Sequence, residues 1–249
     1  MNHLSLFSGA GGEAIASTHI HNWRTVGYVE WNDHCQRVIR QRIDDELLPN
    51  APIYGDINTF ITDGYAAAYT GVVDILTAGF PCQPFSVTGN RQGYDDSRNA
   101  WPQTADVIRI VRPKQVYLEN VAGLLTHQYI RTIFADLAEM GMDAKWGSLG
   151  GFAANSPCNG ERLWIVAVPA GSFRLQSMVG TEYQIIGEQE NTQEIFEVSI
   201  ANAIQQDDYA RIERSSNELA TGMERLKTIG NGQDPLVAAT AYQLLTEGF

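Results

Sequence analysis

The 249-residue sequence predicts an α/β fold, a parallel sheet with helices on both faces. Two observations carry that reading. Short apolar runs of β-type residues alternate with amphipathic stretches through the first two-thirds of the chain, and strands separated by helices of about 10–15 residues indicate parallel pairing. The run at 72–80 is apolar nearly throughout, the pattern of a strand buried on both faces.

Taken in order, Leu4-Ser5-Leu6-Phe7 predicts the first strand, and Ser8-Gly9-Ala10-Gly11-Gly12 a turn into a helix reaching about residue 21. Residues 26–31 read as a second strand, 33–47 as a helix, 52–57 as a third strand and 72–80 as a fourth. Trp101-Pro102 opens a helix over 101–111, with proline in the first turn, where its missing N–H costs nothing. A fifth strand follows at 115–120, a helix at 128–140 and a late strand at 162–168. After Pro169 the texture turns polar and acidic, and 170–227 predicts a small subdomain with only short apolar runs. Asp234-Pro235, an N-cap followed by a proline at the first helical position, opens a last apolar helix over 236–245. The expected organisation is a main domain over 1–169, a small region over 170–227 and a returning segment over 228–249.

A composition of 44% apolar and 18% charged residues argues against disorder and fibrous repeats. The apolar runs fall short of the ~20 residues a membrane span needs, and the start at Met1-Asn2-His3 lacks the basic stretch of a secretory signal. Three cysteines, Cys35, Cys82 and Cys158, suit a reducing cytoplasm better than a disulfide framework, so a soluble cytoplasmic protein is expected. The net charge of −12 argues at first sight against nucleic acid. It is unevenly spread: residues 1–81 carry −5 and 175–249 carry −8, while 82–174 carry +1. An anionic ligand would be received by that central third.

In open α/β sheets ligands bind beyond the carboxyl ends of the strands. Four segments fall there: the glycine-rich loop after Phe7, Glu30-Trp31, Gly55-Asp56-Ile57 and Pro81-Cys82-Gln83. The loop is either a tight turn or a cradle whose N–H groups meet a carboxylate or phosphate. Glu30, 19 residues after Gly11, is either a surface acid or a partner for ribose hydroxyls, and Trp31 is either packed or free to cover an adenine. Taken together they point to an adenosine-containing cofactor. In Gly79-Phe80-Pro81-Cys82-Gln83-Pro84-Phe85-Ser86 two prolines bracket a cysteine at the end of a buried strand. A lone cysteine is often inert, but the neighbouring strand ends in Glu119-Asn120-Val121, and a thiol nucleophile beside a proton donor is a layout for covalent catalysis.

These segments, in this order, resemble the DNA cytosine-5 methyltransferases, most closely the compact versions of phages and prophages. The resemblance covers residues 4–168 and resumes at about 211–246. Phe7-Ser8-Gly9-Ala10-Gly11-Gly12 is similar to the family's S-adenosylmethionine loop, Glu30-Trp31 to its ribose and adenine clamp, and Asp56-Ile57 to its adenine-edge contact. Gly79, Pro81 and Asn231 of Gly230-Asn231-Gly232 fall on further cofactor-pocket positions. Pro81-Cys82-Gln83 resembles the nucleophile motif, Glu119-Asn120-Val121 the cytosine-binding motif, and Arg98 an arginine near the active site. The implied fold is a Rossmann-like methyltransferase sheet with a reduced target-recognition subdomain.

The implied reaction is transfer of a methyl group from S-adenosyl-L-methionine, leaving S-adenosyl-L-homocysteine, to C5 of a flipped-out cytosine in double-stranded DNA. Cys82 adds to C6 as thiolate, and Glu119 holds N3 and the exocyclic amine. Gln83 and Ser86 would help hold the DNA strand; Arg211 and Arg214 would touch DNA or lie as solvated charges. The resemblance implies a monomer and no metal. Where the family has Gln-x-Arg-x-Arg, this chain has Cys158-Asn159-Gly160-Glu161-Arg162, keeping only Arg162 to meet the cytosine carbonyl oxygen. Its recognition region, 170–227, carries 5 basic and 10 acidic side chains, which predicts weak, salt-sensitive DNA binding. An RNA (tRNA) cytosine-5 methyltransferase and a catalytically silent cofactor- or DNA-binding module are the alternatives.

Overall fold

The computed structural model describes residues 1–81, 99–151, 160–172 and 233–246. Cys82, Gln83, Ser86, Arg98, Cys158, Arg211, Arg214, Asn231 and nearly all of the 170–227 region lie outside them.

Among the described residues seven strands form one sheet in the order β3-β2-β1-β4-β5-β7-β6. They are β1 Asn2–Leu6, β2 Arg24–Val29, β3 Ile53–Tyr54, β4 Ile75–Gly79, β5 Gln115–Val121, β6 Met142–Leu149 and β7 Arg162–Pro169. Among the described residues six α-helices accompany them: α1 Gly12–His19, α2 Asp33–Asp44, α3 Ile57–Thr62, α4 Trp101–Val111, α5 Ile130–Glu139 and α6 Pro235–Thr246. Alternation along the strands sorts side chains to the two faces. Leu76, Ala78, Val116, Leu118, Leu163 and Ile165 join one core with Phe60, Trp101, Ile108 and Ile133. Ile75, Tyr117, Trp164 and Val166 join the other with Ala16, Val237, Ala241 and Leu245. Each fully buried side chain of this size contributes roughly 1.5–3 kcal/mol, so the predicted layering rests on both faces being apolar at the centre.

The sheet is mixed rather than parallel. Strands β1 to β5 run parallel, but β7 is antiparallel to β5 and β6 is antiparallel to β7. Strand β6 has no counterpart in the sequence reading: Lys145, Gly147 and a mostly half-buried pattern disguise it, as befits an edge strand. The third strand is shorter than expected. Asp56 accepts from the Asn58 N–H at 2.7 Å and caps α3, so Ile57 begins a helix instead of ending a strand. Helix α2 stops at Asp44 because Glu46 turns to φ 60° and the N–H groups of Leu47 and Leu48 donate back to the Arg42 carbonyl. Helix α4 spans its predicted residues, and Asp234 caps α6 by accepting from the N–H groups of Leu236 and Val237 at 2.9 and 3.2 Å. Among the described residues no helix is long and apolar enough to cross a membrane.

Beneath α1 the sheet carries a buried polar network. His3 Nδ1 lies 2.9 Å from Thr25 Oγ1, His3 Nε2 lies 2.8 Å from Thr77 Oγ1, and the Thr77 hydroxyl donates to Glu13 Oε2 at 2.7 Å. Ser17 donates to the other Glu13 oxygen. Burial pushes the Glu13 carboxyl up, but His3 and these hydrogen bonds outweigh it and hold the group below its ordinary value.

Candidate active site

The carboxyl ends of β1, β2, β4 and β5 form one edge. After β1, Phe7 at φ 53° and Gly9 at φ 55° turn the chain sharply, and Gly11 at φ 85° precedes α1. A non-glycine residue in the left-handed region is strained, and such strain gathers at functional sites. The Gly11 N–H donates to the Ser8 carbonyl at 2.8 Å and the Ser8 hydroxyl to the Ser5 carbonyl at 3.0 Å, so the loop closes on itself. From α2, Arg42 donates to the Ala10 carbonyl. Arg42 is 4% exposed, its Nε has no partner among the described residues, and burial pulls its guanidinium down to about 10.

Glu30 is not a surface acid. It is 7% exposed, and its carboxylate accepts from the Gly9 N–H at 2.7 Å and the Asn32 N–H at 2.8 Å. Burial raises its pKa while those backbone donors restrain the rise. Trp31 is not packed: it stands 79% exposed beside Glu30. A Cβ on Gly9 would meet nothing within 4 Å, so the loop opens onto free space next to this pair. A shaped acid, an uncovered aromatic face and an open glycine loop suit a ribose-and-adenine ligand. Asp56 and Ile57 lie just beyond β3; the Asp56 side chain is engaged as a cap and that of Ile57 is buried in the core.

The second half of the site centres on Glu119. Gly79, the last residue of β4, pairs with it. Because β7 is reversed, its first residue, Arg162, lies at the same edge as the end of β5, opposite Val121 and diagonal to Glu119. Arg162 Nε sits 3.0 Å from Glu119 Oε1, with the two side chains 29% and 13% exposed. Burial pushes the Glu119 carboxyl up to about 7, against the opposing pull of Arg162 and of a hydrogen bond from Gln233. A carboxyl group poised there exchanges protons near neutral pH. Asn120 donates to the Phe80 carbonyl at 3.1 Å, tying β5 to the segment that enters Pro81. On the far side of 82–98, Asn99 donates to the Tyr129 hydroxyl at 2.7 Å, and Trp101 packs against Phe80 with centroids 5.5 Å apart.

Gly160 stands under the Arg162 guanidinium: a Cβ there would lie 2.8 Å from Nη1. Two more glycines are explained by one neighbour. A Cβ on Gly12 would run into the Gln233 carbonyl, and one on Gly79 into the Gln233 amide nitrogen. Sequence reasoning missed Gln233, a lone polar residue beside Gly230-Asn231-Gly232. It also missed Arg42, although Val38, Ile39 and Arg42 form the buried stripe of α2 and a basic residue in such a stripe is a readable signal.

A family model described as C-5 cytosine-specific DNA methylase matches residues 1–234. The chain belongs to this family. Over 169 residues it is 34% identical to the Type II methyltransferase M.HpaII of Haemophilus parainfluenzae, covering 66% of this chain and 44% of that protein. Over 167 residues it is 30% identical to M.NgoBI of Neisseria gonorrhoeae, covering 66% and 49%. This C-5 cytosine-specific DNA methylase family member thus spans under half the length of these two curated relatives. In fold it resembles the Dnmt2 methyltransferase of S. pombe, with a TM-score of 0.66 over 99% of this chain and 98% of that one at 17% identity. The expected α/β methyltransferase sheet is therefore present, with the two antiparallel strands as the correction.

Proposed function

We propose that the chain is an S-adenosylmethionine-dependent DNA (cytosine-5) methyltransferase acting on duplex DNA, as a cytoplasmic monomer in a bacterium or phage-infected host. The observation that carries the reading is the Glu119 carboxyl, buried at the strand edge, pushed to about 7 and paired with Arg162 at 3.0 Å.

Cytosine C5 is too weak a nucleophile to be methylated unaided. In this reading the Cys82 thiolate adds to C6 of a base swung out of the stack, which makes C5 electron-rich. Glu119, protonated, donates to N3 as negative charge develops on the ring, and its other oxygen accepts from the exocyclic amine. Arg162 donates to the carbonyl oxygen. After C5 is methylated, a water takes the C5 proton, the electron pair of that bond re-forms the C5–C6 double bond and expels the Cys82 thiolate, and N3 returns its proton to Glu119. S-adenosylmethionine, when bound, supplies the methyl group as an electrophilic sulfonium substituent. Glu30 and Trp31 would hold its ribose and adenine, and the loop from Phe7 to Gly12 its methionine end; Asp56, Ile57, Pro81 and Asn231 are further candidates. Gln83, Ser86, Arg98, Arg211 and Arg214 are proposed for the DNA side on the resemblance alone.

The test is base-resolution 5-methylcytosine sequencing of plasmid DNA from cells without host cytosine methylation, expressing the chain or Cys82→Ala. The reading expects methylation at one short motif, lost in the mutant, while S-adenosylmethionine binding persists. Retained methylation in Cys82→Ala would sink the covalent mechanism. Unmethylated DNA from both, with cofactor-binding protein, would overturn the DNA substrate.

A further inference from the structure

Gln233 sits one residue before the cap of α6 yet reaches across the sheet edge to Glu119, 114 positions away in sequence. Its Nε2 donates to Glu119 Oε2 at 3.2 Å. Among the described residues its buried Oε1 has no partner. The residue is seated on both sides, by the absence of side chains at Gly12, under its carbonyl, and at Gly79, under its amide. Three residues therefore share one small volume: a Cβ on Gly79 would also lie 3.1 Å from Glu119 Oε2. A buried acceptor without a partner is costly, so a side chain held this way calls for a reason.

The two partners of Glu119 differ in what they tolerate. Arg162 can only donate, and it serves the ionised carboxylate. A primary amide carries both a donor and an acceptor. With Nε2 forward it donates to the carboxylate in a charge-assisted bond; turned over, it presents Oε1 to accept the proton of the neutral acid in a weaker, uncharged one, so it holds both states and favours the ionised one.

We propose that Gln233 is a positioning residue for Glu119, its amide holding the carboxyl group in one place in either protonation state. The inference rests on the role assigned above to Glu119, which gives its proton to the ring and takes one back in each cycle. Gln233 itself neither gains nor loses a proton. Among the described residues Arg162 on β7 is the charged group facing Glu119. Tyr117, on β5 itself, interacts with it electrostatically and is kept neutral by burial.

The test uses the full chain with its Glu side-chain carboxyls labelled with carbon-13, the Glu119 signal being identified by its loss in Glu119→Gln. Gln233→Met keeps the length and removes both hydrogen-bonding groups; Gln233→Leu is the second variant should the first misfold. The wild-type signal should titrate near pH 7, and loss of the amide donor should move its midpoint up by about one pH unit. The alkaline limb of the methylation rate should move with it, with the KM for DNA little changed. An unchanged midpoint in a folded variant overturns the proposal. A midpoint that moves while the rate profile stays put supports the seating by Gln233 and overturns instead the acid role given to Glu119.

Discussion

Arg162 Nε and Glu119 Oε1 lie 3.0 Å apart across the β5–β7 pair, a diagonal contact that joins the end of one strand to the beginning of its antiparallel neighbour. The pair sets the protonation of the site: burial drives Glu119 toward the neutral acid and Arg162 draws it back.

Arg162→Met removes that opposing charge. The Glu119 midpoint should rise above 7, carrying the alkaline limb of the pH–rate profile with it. In the proposed reaction Arg162 also gives a charge-assisted hydrogen bond to the base, so on that reading kcat/KM should fall about 10- to 100-fold. Steady-state methylation of a cytosine-containing duplex between pH 6 and 9 reads both effects.

Glu119 also costs stability as pH rises. Unfolded, the carboxyl ionises near 4.5; folded, it keeps its proton to about 7. Between those values the folded chain binds more protons, so this group makes stability fall with rising pH, by up to about 3 kcal/mol once pH 7 is passed. Urea unfolding should show this slope in the wild type and its loss in Glu119→Gln.

His21 has the opposite sign. Stacked on Trp23 at 4.5 Å and edge-on to Tyr242 at 4.9 Å, it is pulled by burial from 6.5 down to about 4. The unfolded chain binds the extra proton between those values, so the contribution of His21 grows as pH rises from 4 to 6.5. The difference in unfolding free energy between wild type and His21→Phe, measured across that range, should carry this positive slope.

Trp31→Ala should leave the melting temperature at the wild-type value, because the ring is 79% exposed. If the ring covers the adenine, S-adenosylmethionine affinity should drop about tenfold, the order of one aromatic contact. Titration calorimetry with the cofactor and a thermal melt of the free protein separate the two.

The sequence reading reached furthest where local chemistry dictates structure. Asp234-Pro235 announces its helix by capping, Trp101-Pro102 by a proline in the first turn, and the apolar run through β4 permits only a buried strand. It stopped where the cause is not local. The run at β7 reads the same in either direction, so its reversal is invisible until Val121 is paired with Arg162. Gln233 shows no periodicity at all; its importance comes from Gly12 and Gly79, distant in sequence, leaving room for it. Glu30 and Trp31 were legible as a pair, but that the acid is buried and the tryptophan bare emerges only from the loop that carries Gly9 across to them.

The span from Glu119 to Gln233 has a consequence for how the protein is made. Helix α6 docks by long-range bonds, Tyr117 donating to the Ala238 carbonyl at 2.6 Å and Tyr242 to Gln115 Oε1 at 2.5 Å. At a synthesis rate of about 5–20 residues per second, β5 leaves the ribosome roughly 6 to 23 seconds before the residue that completes its carboxyl site. Throughout that interval the nascent chain carries Glu119 without its amide partner and Gly12 without the backbone of Gln233 that lies on it. A proton-exchanging site of this construction is finished only when α6 arrives.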